Sequence, residues 1–214
     1  MSPKSSSHYC SPEDHQQLTS ELLRLLTKRS VCRGSFTLSS GAKSDLYVDA
    51  KLTTLNPQGA ILVGKIGWNL IKQTAQSRPL HIDSIGGLTM GADSIALSIG
   101  IAALLEDPTN TIQTFSVRKS PKNHGRHKLI EGNFASSDTV VVVDDVITTG
   151  SSTLQAIDAI EADGGKIAFV LVLVDRDEGG RQKIEQRGYE VVPIFTRADI
   201  LSGEASERLC SAIA

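Results

Sequence analysis

The 214-residue sequence has no long apolar run, few aromatic residues and no cysteine pattern. No stretch approaches the roughly 20 apolar residues that a helix needs to cross a bilayer, so no membrane span is expected. The first ten residues, Met1-Ser-Pro-Lys-Ser-Ser-Ser-His-Tyr-Cys10, lack the apolar centre of a secretion signal, and a cytoplasmic protein is expected. Cys10, Cys32 and Cys210 are odd in number and show no C-x-x-C spacing. Neither a disulfide framework nor a zinc site is expected from them, and packing is the role left. His8, His15 and His81 have no ligand partner at helical spacing and read as bystanders. A net charge of −2 argues against a general nucleic-acid binder, and aromatics at 4% offer few platforms on which bases could stack. Neither familiar nucleotide loop is present: there is no Gly-Lys-Ser/Thr and no G-x-G-x-x-G.

What is present is the ordinary material of a globular chain, 40% hydrophobic and 21% charged, long enough for one α/β domain with a full core. Residues 1–12 read as a mobile leader and 13–214 as a single domain. Leu18, Leu22, Leu25 and Leu26 recur at helical spacing from Pro12 to about Lys28. Two short strands, 35–41 and 45–50, follow around a turn at Gly41, and then a helix over 57–76. From there strands and helices alternate: a strand near 81–86 ending in Gly86-Gly87, a helix over 92–105, and a strand over 112–117. After a polar segment come a valine strand with its helix, a strand over 166–174, a helix over 180–187, a strand over 190–195 and a short final helix. This alternation predicts an α/β fold with a mainly parallel central sheet flanked by helices on both faces.

Ligands of such sheets sit outside the carboxyl ends of the strands. Four suggestive segments fall there: Gly86-Gly-Leu-Thr-Met-Gly91, Arg118-Lys119, Asp144-Asp145 and Asp175-Arg176. The most informative is Thr139-Val-Val-Val-Val-Asp-Asp-Val-Ile-Thr-Thr-Gly-Ser-Ser-Thr153. Four valines make a buried strand, two aspartates close it, and a turn rich in hydroxyls and glycine leads into a helix. Such a turn aims backbone N–H groups at one spot, at the positive end of a helix dipole, which suits a phosphate. An acid pair beside it suits sugar hydroxyls or a metal bound to them, so the two together point to a phosphorylated ribose. The bland alternative is a solvated acidic turn in which Ser151 or Ser152 serves only as an N-cap.

Between Val117 and Asn133, five of the 22 Lys and Arg residues (118, 119, 122, 126 and 128) gather with His124 and His127, against Glu131 alone. Pro121, Gly125 and Gly132 disfavour regular structure, and a segment of about 17 such residues is uncommon inside a compact domain. A solvated basic loop is one reading. A lid of cations closing over a polyphosphate is the better one, because the segment leaves a strand on the same rim as the phosphate turn.

Val140–Thr153 resembles the phosphoribosyl pyrophosphate (PRPP) motif of type I phosphoribosyltransferases. Three further segments resemble the orotate phosphoribosyltransferase family: Phe36-Thr-Leu-Ser-Ser-Gly41 with Lys43-Ser-Asp-Leu-Tyr-Val-Asp49, Arg118-Lys-Ser-Pro-Lys-Asn-His-Gly125, and Asp175-Arg-Asp-Glu-Gly-Gly-Arg181. The resemblance covers about residues 15–201. It implies a type I phosphoribosyltransferase-like fold with a small N-terminal hood mainly over 13–55 and a lid loop over 118–134. It also implies transfer of a phosphoribosyl group from PRPP to orotate with Mg2+, in de novo pyrimidine synthesis. Carried over by position, Asp144 and Asp145 would hold the ribose hydroxyls, and Val146, Ile147, Thr148, Thr149, Gly150, Ser151 and Ser152 would line the PRPP site, the turn from Thr148 gripping the 5'-phosphate. Arg118, Lys119, Lys122 and His124 would grip the pyrophosphate, with Lys119, Lys122, Asp144 and Asp145 catalytic. Thr148 and Arg176 would contact orotate, and Tyr47 could stack on it. The metal would be held through PRPP and water, with no direct protein ligand. The resemblance further implies a homodimer that shares the lid loop between subunits. Some members carry lysine where this chain has Ser39, and others carry one within the segment that holds Met90 here.

Three other readings remain: a non-catalytic PRPP-sensing regulator, a phosphoribosyltransferase for another base, and an RNA-binding module. Residues 1–35 are too short and too weakly basic for a winged helix, which disfavours the first. The hood and Asp175-Arg176 disfavour the second, and the acid pair the third.

Overall fold

The structure, a computed structural model, describes residues 12–37, 43–76, 78, 80–109, 111–120 and 128–203. Residues 1–11 of the expected leader, the turn at Gly41, Ser39, Lys122 and His124 lie outside the described residues, and Pro12, counted in that leader, opens the first helix. Helix α1 (Pro12–Ser30) has Glu13 and Asp14 in its first turn and Lys28 and Arg29 in its last, which complements the helix dipole at both ends. It buries Leu22 and Leu26 completely. Strands β1 (Val31–Thr37) and β2 (Lys43–Val48) form a separate antiparallel pair that begins directly after α1. A four-residue helix, α2 (Lys51–Thr54), leads into α3 (Pro57–Gln76).

The remainder builds one six-stranded sheet. In chain order it comprises β3 (Ser84–Leu88), α4 (Gly91–Glu106), β4 (Gln113–Val117), β5 (Ile130–Gly132), β6 (Thr139–Ile147) and α5 (Ser151–Ala162). Then come β7 (Lys166–Asp175), α6 (Gly180–Gln186), β8 (Val191–Thr196) and α7 (Arg197–Ser202). The strand order is β5-β4-β3-β6-β7-β8, parallel except for β5, which runs antiparallel to β4. A strand covered on both faces needs apolar residues throughout, and the period of two sends alternate side chains to opposite sides. Val141 and Val143 accordingly join one core with Ile66, Ile95 and Ile99 of α3 and α4. Val140 and Val142 join the other, against Ile157 and Ile160 of α5 and Ile184 of α6. All four valines are fully buried, each worth roughly 1.5–3 kcal/mol of transfer free energy.

Three local expectations are corrected. Gly86 and Gly87 lie inside β3, and the turn follows two residues later, after Leu88. The basic segment is not wholly irregular, since β5 pairs Ile130 with Val117 and Gly132 with Phe115. Cys32 is fully buried, as its packing role requires, but it is also disulfide-bonded, which the cysteine spacing did not predict. Among the described residues no helix is long and apolar enough to cross a membrane.

Candidate active site

From β3 the chain moves outward to β4 and β5, then returns to place β6 on the other side of β3. That reversal leaves a crevice beyond the carboxyl ends of β3 and β6, because the connections from the two strands leave in opposite directions. The register shows where it opens. β3 pairs with β6 from Ser84↔Val140 to Gly86↔Val142 and no further, while β6 continues alongside β7 as far as Ile147↔Asp175. Gly87 still packs on the Val143 backbone, and beyond that contact Leu88–Gly91 and Asp144–Asp145 flank a gap. A cavity of about 790 Å³ fills it, with Leu88–Gly91, Asp144, Asp145 and Ser152 on its walls.

Asp144 sits deepest, 5% exposed. Thr153 Oγ1 donates to its Oδ2 at 2.6 Å and the Asp145 N–H to its Oδ1 at 3.0 Å. Burial, followed by the charge of Asp145, raises its pKa to about 7 against the opposing hydrogen bond from Thr153. Asp145 is half-buried, and its Oδ1 accepts the Val146 N–H at 2.9 Å. Gly91 lies against this carboxylate: a Cβ there would stand 2.4 Å from Asp145 Oδ1. Thr89 and Ser116 each donate to Asp93 at 2.6 Å, so one carboxylate at the start of α4 ties the 88–91 turn to β4.

The turn after β6 leaves the N-terminus of α5 open. Its N-cap is Gly150 in the left-handed region at φ 77°, with no side-chain cap. Ser151 and Ser152 are thus not the caps of the bland reading. Thr149 Oγ1 and Ser151 Oγ are hydrogen-bonded to each other at 3.0 Å on the exposed side of the turn. Thr148 is half-buried and its carbonyl accepts the Gly180 N–H at 2.9 Å, which anchors the turn on α6. Val146 is half-buried and Ile147 fully so, within the core beneath α5. With its side chain in the core, Ile147 can offer a ligand only backbone.

Arg118 and Lys119 reach the same cavity from the end of β4. Gln155 Nε2 donates to the Lys119 carbonyl at 2.9 Å, which ties the root of the basic segment to α5. The Arg118 guanidinium lies 3.9 Å from the Glu131 carboxylate of β5. Tyr47 is half-buried in β2 with its ring 5.9 Å from that of Phe36. Arg176 is only 4% exposed. Its Nη2 donates to Ser44 Oγ at 2.7 Å and the Leu46 carbonyl at 2.9 Å, and pairs with Glu178 at 2.6 Å, while its Nε is buried without a partner. Here the arginine fastens β2 to the end of β7.

The sequence reading missed four side chains: Lys51, Asp93, Ser116 and Glu131. Asp93 carried one signal, a carboxylate in the first turn of a helix that follows a rim segment. For Lys51 and Ser116, proximity to the cavity comes from tertiary structure alone, whereas Glu131 was the lone acid of the expected lid loop.

No family model matches the chain. It is 41% identical over 184 residues to the orotate phosphoribosyltransferase of Aquifex aeolicus, covering 85% of this chain and 96% of that relative. A solved orotate phosphoribosyltransferase of Mycobacterium tuberculosis in complex with Fe(III) dicitrate superposes with a TM-score of 0.71 at 37% identity, over 86% of this chain and 98% of that one. The same enzyme in complex with PRPP superposes at 0.64 with 32% identity, over 87% and 98%.

Proposed function

The chain belongs to the orotate phosphoribosyltransferase family, and from that premise we propose how its residues divide the work. It transfers the 5-phosphoribosyl group of PRPP to orotate in pyrimidine biosynthesis. The bond from C1' of the ribose to the diphosphate breaks, and a bond from C1' to N1 of orotate forms. N1 passes its proton to the departing pyrophosphate, and orotidine 5'-monophosphate and pyrophosphate leave. The state between has oxocarbenium character, so catalysis needs positioning of two partners and stabilisation of a charged leaving group.

The observation that carries the assignment is the splaying of β3 from β6, which sets an acid pair beside an uncapped helix N-terminus in one cavity. The backbone of Thr148–Ser152 and its hydroxyls take the 5'-phosphate. Asp145, and Asp144 behind it, take the ribose hydroxyls. The 88–91 turn with Arg118 and Lys119 receives the diphosphate, and Lys122 and His124 are assigned to the same end by sequence. Orotate then lies between the α5 turn at Thr148 and the hood, with Tyr47 at the edge of the base. The unpartnered Nε of Arg176 supports a role toward its carboxylate, since an arginine edge suits that anion.

The donor set fits a substrate-borne Mg2+. Two adjacent carboxylates floor the cavity, and no group of three or more potential ligands occurs among the described residues. A magnesium ion would draw its ligands from PRPP and water, with the two carboxylates facing it through the ribose hydroxyls. When bound, it would offset charge on the diphosphate. A homodimer completes the proposal. It is supported by the exposed apolar residues Ile61 of α3 and Leu97, Ile101, Leu104 and Leu105 of α4, a surface that a second copy could cover.

The test is an absorbance assay of base consumption with PRPP and Mg2+, run with orotate, adenine, hypoxanthine and uracil in parallel. Orotate alone should be consumed; turnover of another base with none of orotate would overturn the assignment. Lys119→Ala should lower turnover by about a hundredfold, the loss expected for one transition-state cation worth about 3 kcal/mol, with an unchanged melting curve. An unaltered rate would remove Lys119 from the diphosphate site.

A further inference from the structure

We infer that Lys51, on the hood side of the cavity, holds the diphosphate end of PRPP. The inference rests on the proposed reading of the cavity and adds a residue that sequence comparison with the PRPP motif does not reach.

The cavity of about 790 Å³ has two chemically different ends. Of the residues in the α5 phosphate turn, only Ser152 lines it, whereas Leu88, Thr89, Met90 and Gly91 all do. Its bulk is therefore the diphosphate end, beyond the acid pair. Met90 is 65% exposed there and carries no charge, and the Thr89 hydroxyl already donates to Asp93, so the 88–91 turn gives the diphosphate backbone groups but no cation. Among the described residues, the positive charges lining this volume are Lys51, Arg118 and Lys119. The last two sit at the root of the basic segment, whereas Lys51 belongs to α2, a separate part of the chain.

Lys51 is held ready. Its Nζ lies 2.8 Å from Asp49 Oδ1, and its own backbone N–H donates to the same oxygen at 3.2 Å. An ammonium has three donors, so one can stay on Asp49 while two turn to phosphate oxygens. The Asp49 hydrogen bond, opposed by partial burial and aided by the charge of Asp145, raises the lysine pKa above its ordinary value. The group is charged throughout the physiological range. The ion pair with Asp49 by itself is a partly exposed contact of small energetic value; a cation facing the same volume as Asp145 has more to do when a trianionic diphosphate enters.

The experiment compares two ligands that share the site but differ at this end. Inorganic pyrophosphate with Mg2+ and, separately, orotidine 5'-monophosphate are titrated calorimetrically into wild type, Lys51→Ala, Lys51→Arg and Asp49→Asn. Lys51→Ala should bind pyrophosphate roughly ten- to a hundredfold more weakly, as expected for lost charge-assisted hydrogen bonds, and bind the nucleotide as the wild type does. Lys51→Arg should recover most of the loss, and Asp49→Asn should not reproduce it. Equal pyrophosphate affinity in wild type and Lys51→Ala overturns the inference. So does a parallel loss of both ligands, or a matching loss in Asp49→Asn, because each marks a merely structural lysine. A wild-type protein that binds neither PRPP nor pyrophosphate would instead overturn the functional reading beneath it.

Discussion

At the residue scale, the site is built on a carboxylate that the fold keeps close to neutrality. Asp144 is enclosed beneath Thr153, and burial next to Asp145 lifts its pKa from 3.8 to about 7. A carboxyl group raised in the folded state favours folding below its unfolded value, and that contribution is lost as the pH climbs through the folded one. Asp144→Asn removes the titration. Its stability relative to wild type should therefore rise between pH about 4 and about 7, by up to about 1.4 kcal/mol per pH unit, and level off above. Urea melts of both proteins across that range would show it, and a constant difference would refute the raised pKa. Gly91 is the second critical residue. Because a Cβ would meet the tip of the Asp145 side chain and not backbone, Gly91→Ala should displace that carboxylate while leaving the fold intact. The expected result is a rise in KM for PRPP of about tenfold or more with a melting temperature close to wild type.

At the scale of elements, much of the site is legible in the amino-acid sequence. A strand with four consecutive valines and two aspartates, then a hydroxyl-rich turn and a helix, carries its own signal, although the strand runs two residues past the aspartates expected to close it, to Ile147. What is not legible is short or distant. β5 has three residues and α2 has four, too few for a period of two or of 3.6 to register. Arg176 is legible as a rim cation, but its hold on Ser44 and Leu46 spans more than 100 residues of sequence, and nothing local announces it. Lys51 is silent for the same reason. The turn before α5 rests on a backbone contact between α5 and α6: a Cβ on Gly150 would meet the Gly180 carbonyl at 2.9 Å, and φ at Gly150 is 77°. Gly150→Ala should cost at least about 1 kcal/mol of stability and weaken orotidine 5'-monophosphate more than pyrophosphate. Full retention of nucleotide affinity would remove this turn from 5'-phosphate binding.

For the molecule as a whole, the sheet order does most of the positioning. Reversal between β3 and β6 opens the crevice, α5 aims its N-terminus there, and β2 leans on the end of β7 through Arg176. The same packing leaves an apolar surface uncovered along α4, with Leu105 79% exposed. If a second copy covers it, charged residues there should split the pair: Leu97→Glu with Ile101→Glu should sediment as a monomer where wild type sediments as a dimer. A monomeric wild type would refute the dimer. The most direct test of the central claim is calorimetric titration of PRPP with Mg2+ into wild type and the Asp144→Asn/Asp145→Asn double variant. Saturable binding by wild type, weakened about a hundredfold or more in the double variant by loss of two ribose-binding carboxylates, is the predicted result. No binding by wild type, or equal binding by both proteins, would contradict the account.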